Sequence, residues 1–317
     1  MTVDIDPSSG FCWGVVRTIE IAEDELQQGN EIYSLGDIIH NPEEIARLEK
    51  LGLKTIGVED LPAMSGKKVL IRAHGEPPTT YRIAAEAGVE LIDATCPVVT
   101  KLQERIRKYY DEGYQIVIFG KKDHAEVKGL RGVCYDSCIV AKSIHEIEDA
   151  VDYRRPTVLF SQTTMDKPAF NEMKEYLRAR IAELIVDTSE EIATEFHAAQ
   201  AHAIAMPMQA QATPFQAKDT ICGQVSGRDK KLRAFAALHD TMIFVAGKNS
   251  SNGKVLFHIC CDANPHSHFI ESPGELQPEW FDGIERVGIT GATSTPLWLM
   301  QRVREEILAK NGNTIPV

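Results

Sequence analysis

The chain has 317 residues, 43% of them apolar and 25% charged, which is ordinary for a globular protein and long enough for two or three domains. Acidic residues outnumber basic ones by 46 to 34, and a net charge of −12 argues against nucleic-acid binding, because phosphate backbones need a basic footprint. No apolar run reaches the roughly 20 residues that span a bilayer, and the acidic, polar start MTVDIDPSSG does not read as a signal peptide, so a cytoplasmic protein without a membrane partner is expected.

In chain order, strand-like runs fall at 31–38, 68–74, 89–95, 114–120, 157–163, 241–247, 267–272 and 286–291. Helical patterns follow several of them: NPEEIARLEKLG after the first, PVVTKLQERIRKYYDEG after the third and PLWLMQRVREEILAKNG after the last. Nearly unbroken apolar strands alternating with amphipathic helices predict an α/β protein with parallel sheets covered by helices. The stretch 187–218 is rich in Ala and Gln, lacks a clear period, and reads as a linker or surface excursion, with a lid as the alternative. No sequence repeat is evident, yet the chain divides into three comparable α/β lobes. These are 1–95, 96–218 with the Ala/Gln-rich segment at its end, and 219–317.

Polar residues collect where these strands end. His40 precedes Asn41-Pro42, His74 ends KVLIRA, His124 and Glu126 follow IVIFGKKD, and Thr163 closes TVLFSQ. Ser250, Ser251 and Asn252 follow MIFVAGKN, and Ser294 lies just before Pro296. Open α/β sheets bind ligands at the carboxyl ends of their strands, and helix starts with spare N–H groups favour anions. A lone Ser or Thr there is an ordinary N-cap and a lone His an ordinary surface residue. The recurrence beside His40, His74 and His124 points instead to a phosphate site, since imidazoles donate to phosphate oxygens and titrate near neutral pH. Glu126 is either a solvated helix residue or a proton donor whose pKa a bound anion would raise.

Seven cysteines, an odd number, fit a reducing compartment better than a disulfide framework. Cys12, Cys96 and Cys222 lie one per lobe, each beside a helix start, spaced by 84 and 126 residues. That spacing matches no local zinc motif. Thiolates brought together from three lobes would suit an iron–sulfur cluster or zinc, and three ligands rather than four would leave one iron of a 4Fe–4S cluster open. Cys134 and Cys138 in CYDSC read as a metal pair or as buried small residues, and Cys260 and Cys261 as core positions of a helix.

The segments GFCWGVVRTIE, IIHNPEEIARLEKLG, AHGEPP, IDATCPVVTK, HAEVKG, SQTT, GKNSSN and GATSTP, in this order, resemble the 4-hydroxy-3-methylbut-2-enyl diphosphate reductase family from Gly10 to about Arg304. The resemblance implies three α/β lobes in a pseudo-threefold trefoil around a central 4Fe–4S cluster held by Cys12, Cys96 and Cys222. It implies a diphosphate pocket of His40, His74, His124, Ser250, Ser251, Asn252 and Ser294, with Thr163 near the substrate hydroxyl and Glu126 delivering the proton. The implied reaction is reductive removal of that hydroxyl to give isopentenyl and dimethylallyl diphosphate, the last step of the non-mevalonate isoprenoid pathway. A ferredoxin- or flavodoxin-type carrier would supply the electrons. Two departures are visible: Gly247 stands where many members have Ser, and TICGQVSGRD differs from the usual continuation after the third cysteine. Cys260 and Cys261 follow NSSN, whereas the family cysteine precedes it, so Cys222 is the match. Rival readings from other classes are a zinc- or cysteine-dependent phosphate-ester hydrolase and a non-catalytic phosphometabolite-binding protein.

Overall fold

A computed structural model describes residues 1–199 and 214–310. In chain order the elements are β1 (Thr2–Ile5), α1 (Trp13–Gln27), β2 (Ile32–Leu35), α2 (Pro42–Lys50), β3 (Lys54–Ile56), β4 (Lys68–Ile71), α3 (Pro78–Ala87), β5 (Glu90–Asp93) and α4 (Pro97–Asp111). Then come β6 (Gln115–Phe119), α5 (Ala125–Gly132), β7 (Cys138–Ala141), β8 (Thr157–Ser161), α6 (Lys167–Ala199) and β9 (Phe215–Ala217). The remainder is α7 (Gly223–Ser226), α8 (Arg228–Ala236), β10 (Thr241–Val245), α9 (Ser251–Ala263), β11 (Ser267–Ile270), β12 (Arg286–Gly291) and α10 (Leu297–Lys310).

Among the described residues the strands form three four-stranded sheets, β3-β2-β4-β5, β7-β6-β8-β9 and β1-β12-β10-β11, and every pairing is parallel. The fold is α/β with three parallel-sheet lobes. All three sheets share one order. Numbering strands within each lobe, the order is 2-1-3-4, provided that the fourth strand of the last lobe is β1, from the chain's start. Thr2 pairs with Arg286 and Ile5 with Ile289, so the N-terminal strand completes the sheet of residues 241–291 rather than the sheet that follows it in sequence. The repeat missing from the sequence is thus present in the topology.

The central strands explain why the sequence reads as α/β. β6, β8 and β10 are buried at every position, and β2 likewise, because helices cover both faces of each sheet. The missed strands β1, β3, β7 and β9 all lie at sheet edges and are short, with half-exposed or exposed residues that break the apolar run. The reading of 187–218 as an irregular linker is corrected in part. Residues 187–199 continue α6, and Phe215–Ala217 form β9 against β8, supported by Tyr109 Oη donating to Gln216 Oε1 at 2.7 Å. Residues 200–213 lie outside the described part.

The chain forms two compact units, residues 1–101 with 222–317, and residues 102–221. The first contains two of the sheets. One core there packs Ile243, Val245 and Ile289 against Leu299, Val303 and Ile307 of α10, and another packs Ile32 and Leu70 against Ile19 of α1 and Leu48 of α2. In the second unit Ile116, Ile118 and Phe160 pack on Leu102 and Ile106 of α4 and on Leu130 of α5.

Candidate active site

The shared strand order places the expected residues at repeated positions. After the first strand of each lobe comes a capped helix start. Asn41 Oδ1 accepts from Glu44 N at 3.1 Å, His124 Nδ1 from Glu126 N at 3.2 Å, and Ser250 Oγ from Gly253 N at 3.0 Å. Asn41, His124 and Ser250 therefore occupy equivalent places, with His40 one residue before the first of them. After the third strand come His74, Thr163 and Ser294, and after the fourth come Cys96, Cys222 and Cys12. First and third strands are neighbours whose connections run in opposite directions. This is the switch point at which open α/β sheets leave a crevice beyond the strand ends.

Each switch point brings its pair into contact. In the first lobe the rings of His40 and His74 lie 4.8 Å apart, centroid to centroid, tilted by 40°. In the last lobe Ser294 Oγ is 3.4 Å from Ser250 Oγ, and Asn252 Oδ1 accepts from Thr293 N at 2.9 Å. These two pairs also meet within the first unit, because Ser294 Oγ donates to the His40 carbonyl at 3.5 Å. Gly247 explains its departure from Ser here: a Cβ would stand 2.3 Å from the His40 carbonyl oxygen. Ser250, Ser251, Asn252 and Ser294 are all buried. Asn252 Nδ2 is buried without a hydrogen-bond partner among the described residues. Leaving such a donor unpaired costs about 1–3 kcal/mol, which a ligand oxygen would recover.

In the second unit the pair is Glu126 and Thr163. Thr163 N donates to Glu126 Oε1 at 2.7 Å, and Thr163 Oγ lies 2.6 Å from Oε2. Glu126 is 2% exposed, and burial raises its pKa to about 7 against the lowering effect of the two Thr163 bonds. The carboxyl is therefore half protonated near neutrality. Because His124 Nδ1 accepts the Glu126 N–H, the neutral ring carries its proton on Nε2.

The three cysteines after the fourth strands all belong to the first unit and are free thiols. α1 brings Cys12 and Cys96 together, since a Cβ on Gly14 would lie 2.8 Å from Cys96 Sγ. Burial pushes the Cys96 thiol up, the N–H groups of Val98 and Val99 pull it down, and the charges of Cys12 and Cys222 push it up again. Cys12 and Cys222 thus both lie within electrostatic reach of Cys96. Cys12 N donates to the Thr293 carbonyl at 3.1 Å, so the thiols and the Asn252–Thr293 pair share a backbone segment.

Sequence reasoning missed Arg228, whose place on a helix of charged residues gave no signal except its position six residues after Cys222. Its Nη2 donates to the Gly10 carbonyl at 2.6 Å, while Nη1 is buried with no hydrogen-bond partner among the described residues. Burial lowers its pKa and the Cys12 charge opposes that shift. Three unbridged thiols beside an under-satisfied cation fit a negatively charged thiolate-ligated centre with three protein ligands, better than a closed four-ligand structural zinc site.

The LytB protein family model matches residues 3–308. A 4-hydroxy-3-methylbut-2-enyl diphosphate reductase of Chloroherpeton thalassium is 50% identical over 98% of this chain and 97% of its own length. One of Chlorobaculum tepidum is 46% identical over 97% and 96%. The solved structure of (E)-4-hydroxy-3-methyl-but-2-enyl diphosphate reductase, the terminal enzyme of the non-mevalonate pathway, superposes with a TM-score of 0.67 at 32% identity, covering 98% of this chain and all of that one. The E-1-hydroxy-2-methyl-but-2-enyl-4-diphosphate reductase of Plasmodium falciparum shares the fold, with a TM-score of 0.78 at 22% identity over 96% and 87%.

Proposed function

The chain belongs to the LytB protein family, and from that premise we propose that it is a reductive dehydroxylase of the cytosol. It takes 4-hydroxy-3-methylbut-2-enyl diphosphate, two electrons and two protons to isopentenyl or dimethylallyl diphosphate and water. The observation that supports this reading is the recurrent strand-end pattern. Anion donors and an acid follow the first and third strands of the lobes, and one thiol follows each fourth strand.

A 4Fe–4S cluster bound by Cys12, Cys96 and Cys222 would supply the electrons and, with three protein ligands for four irons, an open Lewis-acidic corner. The remaining chemistry belongs to side chains. Asn252 Nδ2 and the hydroxyls of Ser250, Ser251 and Ser294 hold diphosphate oxygens, together with His40, His74 and His124 as imidazole donors. Fixing the charged end of a small substrate restricts its reacting carbon, a positional contribution that can reach several kcal/mol.

Glu126 delivers the proton through Thr163. In the acid form Oε2 donates across the 2.6 Å contact to Thr163 Oγ, whose own hydrogen passes to the departing hydroxyl. Thr163 N holds the other carboxyl oxygen throughout and supports the carboxylate once the proton has left. The electrons come from a small ferredoxin- or flavodoxin-type carrier, replaceable in the assay by reduced viologen.

Anaerobic protein incubated with substrate and reduced viologen is expected to oxidise the dye and form both five-carbon diphosphates. Release of inorganic phosphate without reductant would favour a hydrolase, and binding without turnover a metabolite-binding protein. Either result would overturn the proposal.

A further inference from the structure

Outside this machinery, the second unit carries a thiol pair at the far end of α5. Cys134 is fully buried, in the core with Val127 and Leu130, and the half-buried Cys138 packs against that same core. Three residues join them. Tyr135 and Asp136 both hold positive φ angles, 54° and 58°, and Ser137 N returns to the Cys134 carbonyl at 2.9 Å. Two consecutive non-glycine residues in the left-handed region are costly, by roughly 1–3 kcal/mol each, and this turn returns the chain so that both cysteines meet one core. Cys134 Sγ donates to the Arg131 carbonyl at 3.2 Å and stays protonated, while the neighbouring Cys134 and the charge of Arg131 lower the Cys138 pKa. The more accessible sulfur is therefore the nucleophile. Cys138 also lines a cavity of about 330 Å³ with Lys122, Arg131 and Glu146. Glu146 accepts from Lys142 N at 3.0 Å and Arg131 pairs with Asp136 Oδ1 at 2.9 Å, so a ligand carboxylate would meet Lys122 and share Arg131 with Asp136.

We propose that Cys134 and Cys138 form a thiol–disulfide exchange site for a small, carboxylate-bearing disulfide held in this cavity by Lys122 and Arg131. The Cys138 thiolate attacks one sulfur of the ligand, breaking its S–S bond, forming a mixed disulfide and releasing one thiolate. Cys134 then gives up its proton and attacks the Cys138 sulfur, forming the Cys134–Cys138 bond and releasing the second thiol. The two cysteines are oxidised by two electrons, and the ligand disulfide is reduced by the same two. The inference rests on the second unit alone and is independent of the reductase reading.

Tryptic cleavage after Arg131 and Lys142 isolates both cysteines in one peptide, residues 132–142, with no other cysteine. Anaerobic full-length protein is treated with glutathione disulfide, alkylated and digested. The expected peptide takes no alkyl group, is lighter than the dithiol form by about two mass units, and returns to dithiol with dithiothreitol. Cys134→Ser should trap a glutathione adduct on Cys138 at least about tenfold faster than any adduct on the half-exposed Cys261. Hydroxyethyl disulfide, which lacks carboxylates, should react more slowly at Cys138. A peptide still alkylated twice after Cys261 has reacted would overturn the proposal, and equal rates for the two disulfides would overturn the role given to Lys122 and Arg131.

Discussion

Replacing Glu126 with Gln separates the catalytic value of this side chain from its cost to the fold. The amide is isosteric, its oxygen can still accept from Thr163 N, and its NH₂ can still meet Thr163 Oγ, but it has no acidic proton. Loss of a general acid lowers turnover by about 10²–10⁴-fold. Stability should move the other way. The carboxyl titrates at about 7 in the folded chain, against 4.5 for the ordinary group, because burial disfavours the charge. A raised pKa means that its favourable contribution is fully present below the unfolded value and is lost as pH rises through the folded one. By linkage, ionising it in place costs the wild type about 3 kcal/mol at pH 8 but under about 1 kcal/mol at pH 5. Gln, neutral at both, should make the variant relatively more stable at pH 8 by roughly 2–3 kcal/mol compared with pH 5. Anaerobic urea unfolding at the two pH values, beside viologen oxidation, reads both effects. Wild-type turnover in the variant, or a stability difference that ignores pH, would refute the reasoning.

Other side chains give equally direct tests. Asn252→Ala should weaken substrate binding by about 5–150-fold, the equivalent of about 1–3 kcal/mol for a lost donor to a charged oxygen, as measured by anaerobic calorimetry. Gly247→Ser should cost about 1–3 kcal/mol in thermal unfolding, because its Cβ would overlap the His40 carbonyl and force that backbone aside. Arg228→Met removes the cation beside Cys12, so the reduction potential of the bound centre should fall, visible in a substrate-free redox titration, while iron content is kept.

The sequence exposed the parts of the fold in which local pattern and burial coincide. Fully buried central strands such as QIVIF and TMIFV have a continuous apolar run, and helix starts such as Asn41-Pro42 carry their own capping chemistry. Edge strands lack that run: KTI is mostly exposed, and CIVA follows a strained turn at Tyr135 and Asp136. β1 could not be assigned from its surroundings because its partner β12 lies at the opposite end of the chain. The polar residues at strand ends were legible one by one. Their equivalence was hidden, since the helix caps Asn41, His124 and Ser250 share a topological place but no residue type. Arg228, Gly14 and Gly247 act through residues distant in sequence, Gly10, Cys96 and His40, so their significance needs the folded chain.

Iron and acid-labile sulfide counts on anaerobically reconstituted single Cys→Ser variants test most directly whether Cys12, Cys96 and Cys222 share one inorganic centre. Loss of visible absorbance and of iron below the wild-type complement is predicted for each of these three, with full retention in the Ser variants of Cys138 and Cys261. A wild-type iron and sulfide count in any of the three variants would contradict it.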